Sequence, residues 1–167
     1  NNMKIRIVFF LVIIFFPFAA YAEKSKSGDW WLDLDSSADL TEAFTANQSG
    51  STLGFLCIIS TGNCLYYVSP QTTCEAGHTG VILINSDVGA LFSTTKCMKL
   101  GTTYYSVIQE TNDVHSAITK SNNIGIAIPM KDGQFKVVRF SLRGANATIG
   151  AAAERAANSS KKSDQLL

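Results

Sequence analysis

Four cysteines carry the most definite chemistry of this chain: Cys57, Cys64, Cys74 and Cys97. Six, nine and 22 residues separate neighbouring cysteines, whereas structural zinc sites usually contain close C-x₂₋₄-C pairs and redox motifs contain C-x-x-C. An even number of widely spaced cysteines in a chain with an export signal is typical of disulfide bonds. We therefore predict structural disulfides, and we interpret metal binding and thiol chemistry as the less favoured alternatives.

The predicted hairpins favour one pairing of these cysteines. A hairpin centred on residues 85–86 sets residue 74 opposite residue 97, which is close enough to bridge. A four-residue loop over 60–63 makes residue 64 only a diagonal neighbour of residue 57, so that bridge requires a tighter turn or a local distortion. The favoured pairs are Cys57 with Cys64 and Cys74 with Cys97, and the main rival pairs are Cys57 with Cys97 and Cys64 with Cys74.

Neither histidine lies in a recognisable catalytic motif. His78 stands in EAGHTG and His115 in NDVHSA, without a G-x-S-x-G or H-E-x-x-H pattern nearby. An acidic stretch could bind calcium, but it lacks the spaced ligands and the glycine of a calcium loop; its residues are Asp29, Asp33, Asp35 and Asp39. We predict no catalytic, metal-binding or cofactor-binding residues and no enzymatic activity.

Three pairs of adjacent aromatic residues are candidates for binding. On a strand, adjacent side chains point to opposite faces, so one aromatic residue of each pair is buried more easily than the other. Aromatic side chains on an exposed sheet face are favoured contact residues, although a sandwich could cover both faces. The candidate binding residues are Trp30, Trp31, Tyr66, Tyr67, Tyr104 and Tyr105, together with His78.

The first 22 residues resemble a signal peptide. Lys4 and Arg6 precede an apolar run over 7–18, and Ala20-Tyr21-Ala22 is an A-x-A cleavage site. The run is shorter than the roughly 20 residues of a membrane span, so we expect removal after Ala22 and no stable membrane anchor. Removal changes the formal charge from +1 to −1, which leaves no basic surface for nucleic acid. The expected location is the periplasm or the extracellular space.

The elements that position these residues are predicted to be mostly short strands. Alternating apolar residues and turn signals predict strands near 29–34, 41–47, 53–59, 64–68, 80–85, 90–94, 102–109, 124–130 and 134–142. Residues 23–28 are expected to be a flexible lead-in and 112–120 a short helix or a loop. An alanine-rich stretch at 146–157 predicts a helix docked through Ile149 and neighbouring alanines. The predicted fold is mainly β, an antiparallel sandwich or barrel-like domain (23–157) with one C-terminal helix, followed by a disordered tail (158–167).

The last strand and helix carry a resemblance to a known family. The segment FSLRGANATIGAAAERA (140–156) is similar to the end of proteins of the invasion associated locus B family, which run from a Phe-Ser-Leu-x-Gly segment into an alanine-rich one. The resemblance is strongest over 124–157 and looser over 28–97. It implies a β-sandwich-like fold, periplasmic or outer-membrane residence and no known catalytic residues.

Two functions are compatible with these features. The first is a non-enzymatic exported binding or accessory protein of the bacterial cell envelope that acts through an aromatic face or a sheet edge; the resemblance implies a role in host association or envelope stress. The alternative is an inhibitor or immunity protein that plugs a cell-wall-degrading enzyme with a loop such as EAGHTG. A hydrolase is disfavoured because no nucleophile and base are recognisable. The partner and the oligomeric state stay open.

Overall fold

The structure, a computed structural model, describes residues 23–34, 39–70, 74–109, 112–130 and 133–164. The predicted signal peptide (1–22), Asp35 and residues 165–167 lie outside the described residues. The strands are β1 (Glu23–Ser27), β2 (Trp30–Leu34), β3 (Leu40–Ala46), β4 (Thr52–Ile58), β5 (Asn63–Ser69), β6 (Thr79–Ser86), β7 (Gly89–Leu100), β8 (Thr103–Ile108), β9 (Asn123–Pro129) and β10 (Phe135–Ser141). The helices are α1 (Asn112–Thr119) and α2 (Ala145–Asp164).

All of these strands belong to one antiparallel sheet. Its order is β1-β2-β3-β4-β5-β8-β7-β6-β9-β10. The sheet curls into a half-barrel, so that the end of β10 returns to the start of β2, where the Trp30 indole donates a hydrogen bond to the Ser141 carbonyl at 3.0 Å. The predicted mainly β, barrel-like fold with a C-terminal helix and disulfides is confirmed.

The core lies on the inner face of the curled sheet, under helix α2. Along β6, Ile82 and Ile84 are buried while Val81 is exposed, as the alternation of a half-buried strand requires. Helix α2 packs on β2, β3 and β4, and its Ile149 and Ala152 are fully buried in the same core. The prediction of a docked helix is confirmed. Neither described helix is long and apolar enough to cross a membrane.

Two elements differ from their prediction, and one of the two alternatives given for a third is confirmed. Residues 23–27 are an edge strand and not a flexible lead-in, because the Lys24 ammonium pairs with Asp33 at 2.9 Å and the Lys26 ammonium lies over the Trp31 ring. The ambiguous stretch 112–120 contains a helix, α1, which buries an apolar face. Helix α2 continues to Asp164, into the stretch predicted as a disordered tail, and no glycine or proline interrupts residues 151–164.

The predicted disulfide pairing is confirmed, but the first hairpin has a different register. Cys57 bonds to Cys64 and lies directly opposite it, with the two Cα atoms 4.0 Å apart. The loop spans residues 59–62 and not 60–63. Gly62 takes a left-handed φ of +69°, which suits the last position of such a loop, and β5 therefore begins at Asn63.

The second bridge forms by a different route from the one predicted. The β6–β7 hairpin turns between Ser86 and Gly89, so residue 78 and not residue 74 faces Cys97. Cys74 reaches Cys97 because the loop before β6 folds back along β7, where the Gly77 amide donates to the Cys97 carbonyl at 2.8 Å. The Cα atoms of Cys74 and Cys97 are 5.9 Å apart.

Polar contacts close the half-barrel where β2 begins and β10 ends. The Asp29 carboxylate accepts hydrogen bonds from the Ser141 hydroxyl at 2.7 Å and from the Arg143 guanidinium at 2.9 Å. The Asp29 amide donates to the Arg143 carbonyl at 2.8 Å. Together with the Trp30 to Ser141 bond, these contacts join residues 111 to 114 positions apart in sequence. We call this group the closing junction.

Glycine is required at the closing junction. A Cβ atom on Gly144 would overlap the Ser27 carbonyl, and a Cβ atom on Gly28 would overlap the Arg143 carbonyl. Both glycines also have positive φ, +95° for Gly144 and +57° for Gly28. The Ser-Leu-Arg-Gly sequence after Phe140 is therefore explained by direct contacts between the end of β10 and the start of β2.

We expect Gly144→Ala to lower the free energy of unfolding by about 2–4 kcal/mol, because it combines backbone strain with a steric overlap. Gly77→Ala is the matched control: Gly77 has a similar φ of +86° but open space where the Cβ would stand, so it should lose only about 1 kcal/mol. Urea unfolding of both variants measures the difference. Equal losses would show that the close approach to Ser27 contributes nothing.

The stability of the protein should decrease at low pH, when the Asp29 carboxylate is protonated. Hydrogen bonds from Ser141 and Arg143 lower the pKa of the Asp29 carboxyl below its usual value. Its stabilising effect is therefore complete above the unfolded-state pKa, near 3.9, and is lost as the pH falls further. We expect Asp29→Asn to be less stable than the wild type at pH 7, with the gap narrowing below about pH 4. A gap that stays constant between pH 7 and about pH 3 would contradict this assignment.

Candidate binding face

A row of apolar side chains crosses the outer face of the sheet, the face turned away from helix α2. Phe92 on β7 lies opposite Leu83 on β6, Leu83 lies opposite Ala127 on β9, and Ala127 lies opposite Val137 on β10. Phe92 is 75% exposed and Val137 is 50% exposed. We call these four residues the apolar row.

Two further apolar side chains enlarge this surface. Val81 lies two residues before Leu83 on β6, and Phe135 lies two residues before Val137 on β10, so both share the outer face with the row. They are 55% and 66% exposed. Single exposed apolar residues are ordinary, but a contiguous group on neighbouring strands is a candidate interaction surface.

Small residues make a groove in this face. Strand β9 presents Gly125 and Ala127 outward, whereas the neighbouring strands present larger side chains, including Leu83, Val137 and Arg139. The resulting groove has a volume of about 640 Å³ and is lined by these residues and, at one end, by polar groups such as Asp87. The groove therefore offers both apolar and polar groups to a ligand.

The outer positions of these four strands carry only positive charge. Lys96 on β7 and Arg139 on β10 are exposed, and no carboxylate occupies an outward position on β6, β7, β9 or β10. Asp87, in the turn between β6 and β7, accepts a hydrogen bond from the Asn122 amide at 2.6 Å. The apolar row therefore has a cationic border, which favours a ligand with acidic groups.

The aromatic residues predicted to bind differ in how far they are exposed to solvent. Trp30, Tyr66 and Tyr67 are buried. Trp31 is 41% exposed beneath the Lys26 ammonium, and Tyr104, with the Lys99 ammonium over its ring, is half-buried. The prediction that one member of each pair is buried more easily holds at Trp30-Trp31, where Trp30 is the buried one. It does not hold at Tyr66-Tyr67, where both are buried, because Tyr66 packs in the core and the Tyr67 ring lies over Gly54.

Tyr67 and Tyr105 cover part of the outer face themselves. Their rings meet edge to face with centroids 4.8 Å apart, and the Tyr67 ring lies over Gly54, where any side chain would overlap it. The Tyr67 hydroxyl donates a hydrogen bond to the Glu42 carboxylate. This cluster occupies space on the outer face beside Gly54, whereas Gly125 on β9 has no ring over it.

Glu42 is a half-buried carboxylate directly opposite Asp33 on the neighbouring strand. Burial raises the pKa of the Glu42 carboxyl; the Tyr67 hydrogen bond opposes this effect and the Asp33 charge adds to it. Burial, followed by the charge of Glu42, raises the pKa of the Tyr67 phenol well above its usual value. One Asp33 oxygen is buried without a hydrogen-bond partner.

The two histidines lie on different elements and have different partners. His78 is exposed in the loop held against Cys97. The His115 ring on α1 is 2.6 Å from the Tyr66 hydroxyl, and burial raises the pKa of that phenol. Within the described residues, no three His, Cys, Asp or Glu side chains are grouped closely enough to hold a metal ion.

Comparison with known proteins finds a solved structure of similar fold. No family model matches the chain, and no curated protein matches it in sequence. Among solved structures, the crystal structure of invasion associated protein b from Bartonella henselae aligns with a TM-score of 0.52 at 9% identity, covering 80% of this chain and 97% of that one.

The chain has the fold of invasion associated protein b. The resemblance carried by FSLRGANATIGAAAERA is confirmed at the level of the fold. At 9% identity, the likeness to invasion associated protein b transfers no binding residue or activity. Independently of that likeness, two disulfides are typical of proteins that reside outside the cytoplasm.

The sequence contained a signal for the apolar row, but the predicted binding residues were tryptophans, tyrosines and a histidine and did not include the row. VILI (81–84) and FKVVRF (135–140) place apolar residues at both odd and even positions, so each strand must turn some of them outward. No second layer covers the outward ones in the described residues, since α2 packs on the inner face of β2–β4. Phe92 and Val137 are therefore exposed.

Glu42 should destabilise the protein at neutral pH. Because the pKa of the Glu42 carboxyl is raised in the native state, the native protein binds the carboxyl proton more tightly than the unfolded chain does. The free-energy penalty for ionising Glu42 in the native protein is therefore present above the native pKa. We expect Glu42→Gln to be more stable than the wild type at pH 7, with the gain vanishing below about pH 4.3. Thermal unfolding across pH measures it, with the exposed Glu154→Gln as the control. A loss of stability at pH 7 would mean that the Tyr67 hydrogen bond outweighs burial.

Proposed function

We propose that this is a non-enzymatic, exported accessory protein of the bacterial cell envelope that binds a partner protein through the outer face of β6, β7, β9 and β10. The observation that carries the proposal is the apolar row, whose Phe92 and Val137 ends are 75% and 50% exposed. Such exposure lowers solubility unless a partner covers it, and binding sites commonly join an apolar centre to a polar rim.

The extracytoplasmic setting is compatible with this proposal. The similar protein from Bartonella henselae is titled an invasion associated protein, which suggests host association as the context, with envelope stress as the other role that the resemblance implies. The absence of catalytic activity is part of the proposal: it is supported by the lack of a recognisable catalytic motif around His78 and His115.

The alternative, an inhibitor or immunity protein that plugs an enzyme with the EAGHTG loop, receives less support. A disulfide and two backbone hydrogen bonds between residues 77–78 and Cys97 hold this loop against β7. His78 is exposed at that position, but inhibitors that plug an active-site cleft need a segment that protrudes into it.

Site-specific photocrosslinking tests the proposed function. A photoreactive amino acid replaces Phe92 on the outer face or, as the matched control, the exposed Ala147 on α2, and both proteins are expressed in the organism that encodes the chain. We expect one recurrent protein adduct from position 92 and none from position 147. We also expect Val81→Ser with Phe92→Ser to abolish binding of the identified partner without changing the melting temperature. Equal adducts from both positions would refute the proposal.

A further inference from the structure

The sheet has two edges of opposite character. Edge strand β1 carries Lys24 and Lys26, and charged residues on an edge oppose pairing with another chain. Edge strand β10 has one lysine at its beginning, Lys136, whose ammonium is held by the Pro70 carbonyl, and its neighbours Phe135 and Val137 are exposed. An edge strand with exposed apolar residues is a template for strand addition.

The backbone of β10 is open at the same two residues. In an antiparallel strand, the N–H and C=O groups of one residue point to the same side. The Arg139 and Ser141 carbonyls accept hydrogen bonds from the side chains of Asn47 and Trp30, across the open side of the half-barrel, so odd-numbered residues face away from β9. Phe135 and Val137 therefore direct their N–H and C=O groups to an edge with which no described strand pairs.

From this geometry we propose that β10 is extended by a strand of the partner protein, antiparallel to it, which carries apolar side chains outward and an acidic side chain beside Arg139. The inference rests on the proposed function and specifies its partner. The added strand continues the apolar row past Val137, and its backbone pairs with residues 135 and 137. Its acidic residue meets the guanidinium of Arg139, which flanks the groove.

The unpaired backbone groups at the β10 edge favour a peptide over a lipid as the ligand. An acyl chain could cover Val137 and Phe92, but it would leave the N–H and C=O groups of residues 135 and 137 without partners. A strand satisfies these groups and also places its side chains at the spacing of the outer face. Arg139, which lies on β10 itself, fits a carboxylate on such a strand.

The test uses the purified mature protein and a synthetic peptide, Thr-Glu-Thr-Val-Thr-Phe-Thr, with Glu, Val and Phe on one face. Aligned antiparallel, it places Glu beside Arg139, Val opposite Val137 and Phe opposite Phe135. We expect saturable binding by fluorescence anisotropy, slower amide hydrogen exchange at residues 135 and 137, and weaker binding of the peptide with Lys in place of Glu. N-methylation of the peptide valine should weaken binding by about tenfold, because its N–H points toward β10. N-methylation of a neighbouring threonine, whose N–H points away from β10, should not.

A protein variant gives a second measurement. Val137→Pro removes an N–H that points away from β9, which an edge strand tolerates, and it should weaken peptide binding by about tenfold. Val137→Thr keeps the N–H but reduces the apolar contact, so it should bind the peptide more tightly than Val137→Pro. The N-methylated peptides test the same hydrogen bond on the wild-type protein, so the result does not depend on the folding of the proline variant.

Three outcomes would overturn the inference. If N-methylation of valine and Val137→Pro both leave peptide affinity unchanged, the edge is not used. If no peptide binds while position 92 still crosslinks to a partner, the proposed function stands and strand addition fails. If vesicles of phosphatidylglycerol bind in a Phe92-dependent way and the peptide does not, the ligand is a lipid surface, and both proposals fail.

Discussion

The closing junction is the constraint on which the rest of the fold depends. An open sheet of this length would leave the inner faces of its first and last strands in water. Contacts between Asp29, Ser141 and Arg143 return β10 to β2 and enclose one core. Helix α2 begins at Ala145, directly after this point, so the same contacts fix where its apolar side enters the core. The absence of side chains on Gly28 and Gly144 lets the two backbones approach closely enough.

Much of this arrangement could be predicted because it is local. Alternating apolar residues indicated nine of the strands, and the alanine-rich sequence after Gly144 indicated α2. Compartment and spacing indicated the disulfides. Strand β1 was missed because its lysines resemble a solvated segment, whereas they protect a sheet edge.

The features that could not be predicted depend on long-range geometry. A shift of one residue in the loop before Asn63 decides whether Cys64 lies opposite or diagonal to Cys57. The pairing of β6 with β9 is non-local, and it creates the apolar row from residues that no short window brings together. Whether Trp30 or Trp31 is buried likewise depends on which face of β2 meets α2.

The outer face is covered beside Gly54 and open beside Gly125, and the difference comes from side-chain size. In the first half, Tyr67 covers Gly54 and packs against Tyr105, so a missing side chain is compensated by a neighbouring ring. In the second half, Gly125 and Ala127 have no such ring above them, and the groove stays available. The hydrogen bonds from Asn47 and Trp30 cover the far end of β10 and leave only its beginning accessible to another chain.

The long sequence separation across the closing junction also sets an order of folding. Strands β1 to β5 follow one another in the sheet and can pair as soon as they are available, but Asp29 has to wait for partners 112 and 114 residues later. A chain that emerges from its N-terminus therefore holds an incomplete, open sheet until Arg143 arrives. The core is therefore completed only when the end of β10 and the start of α2 are available.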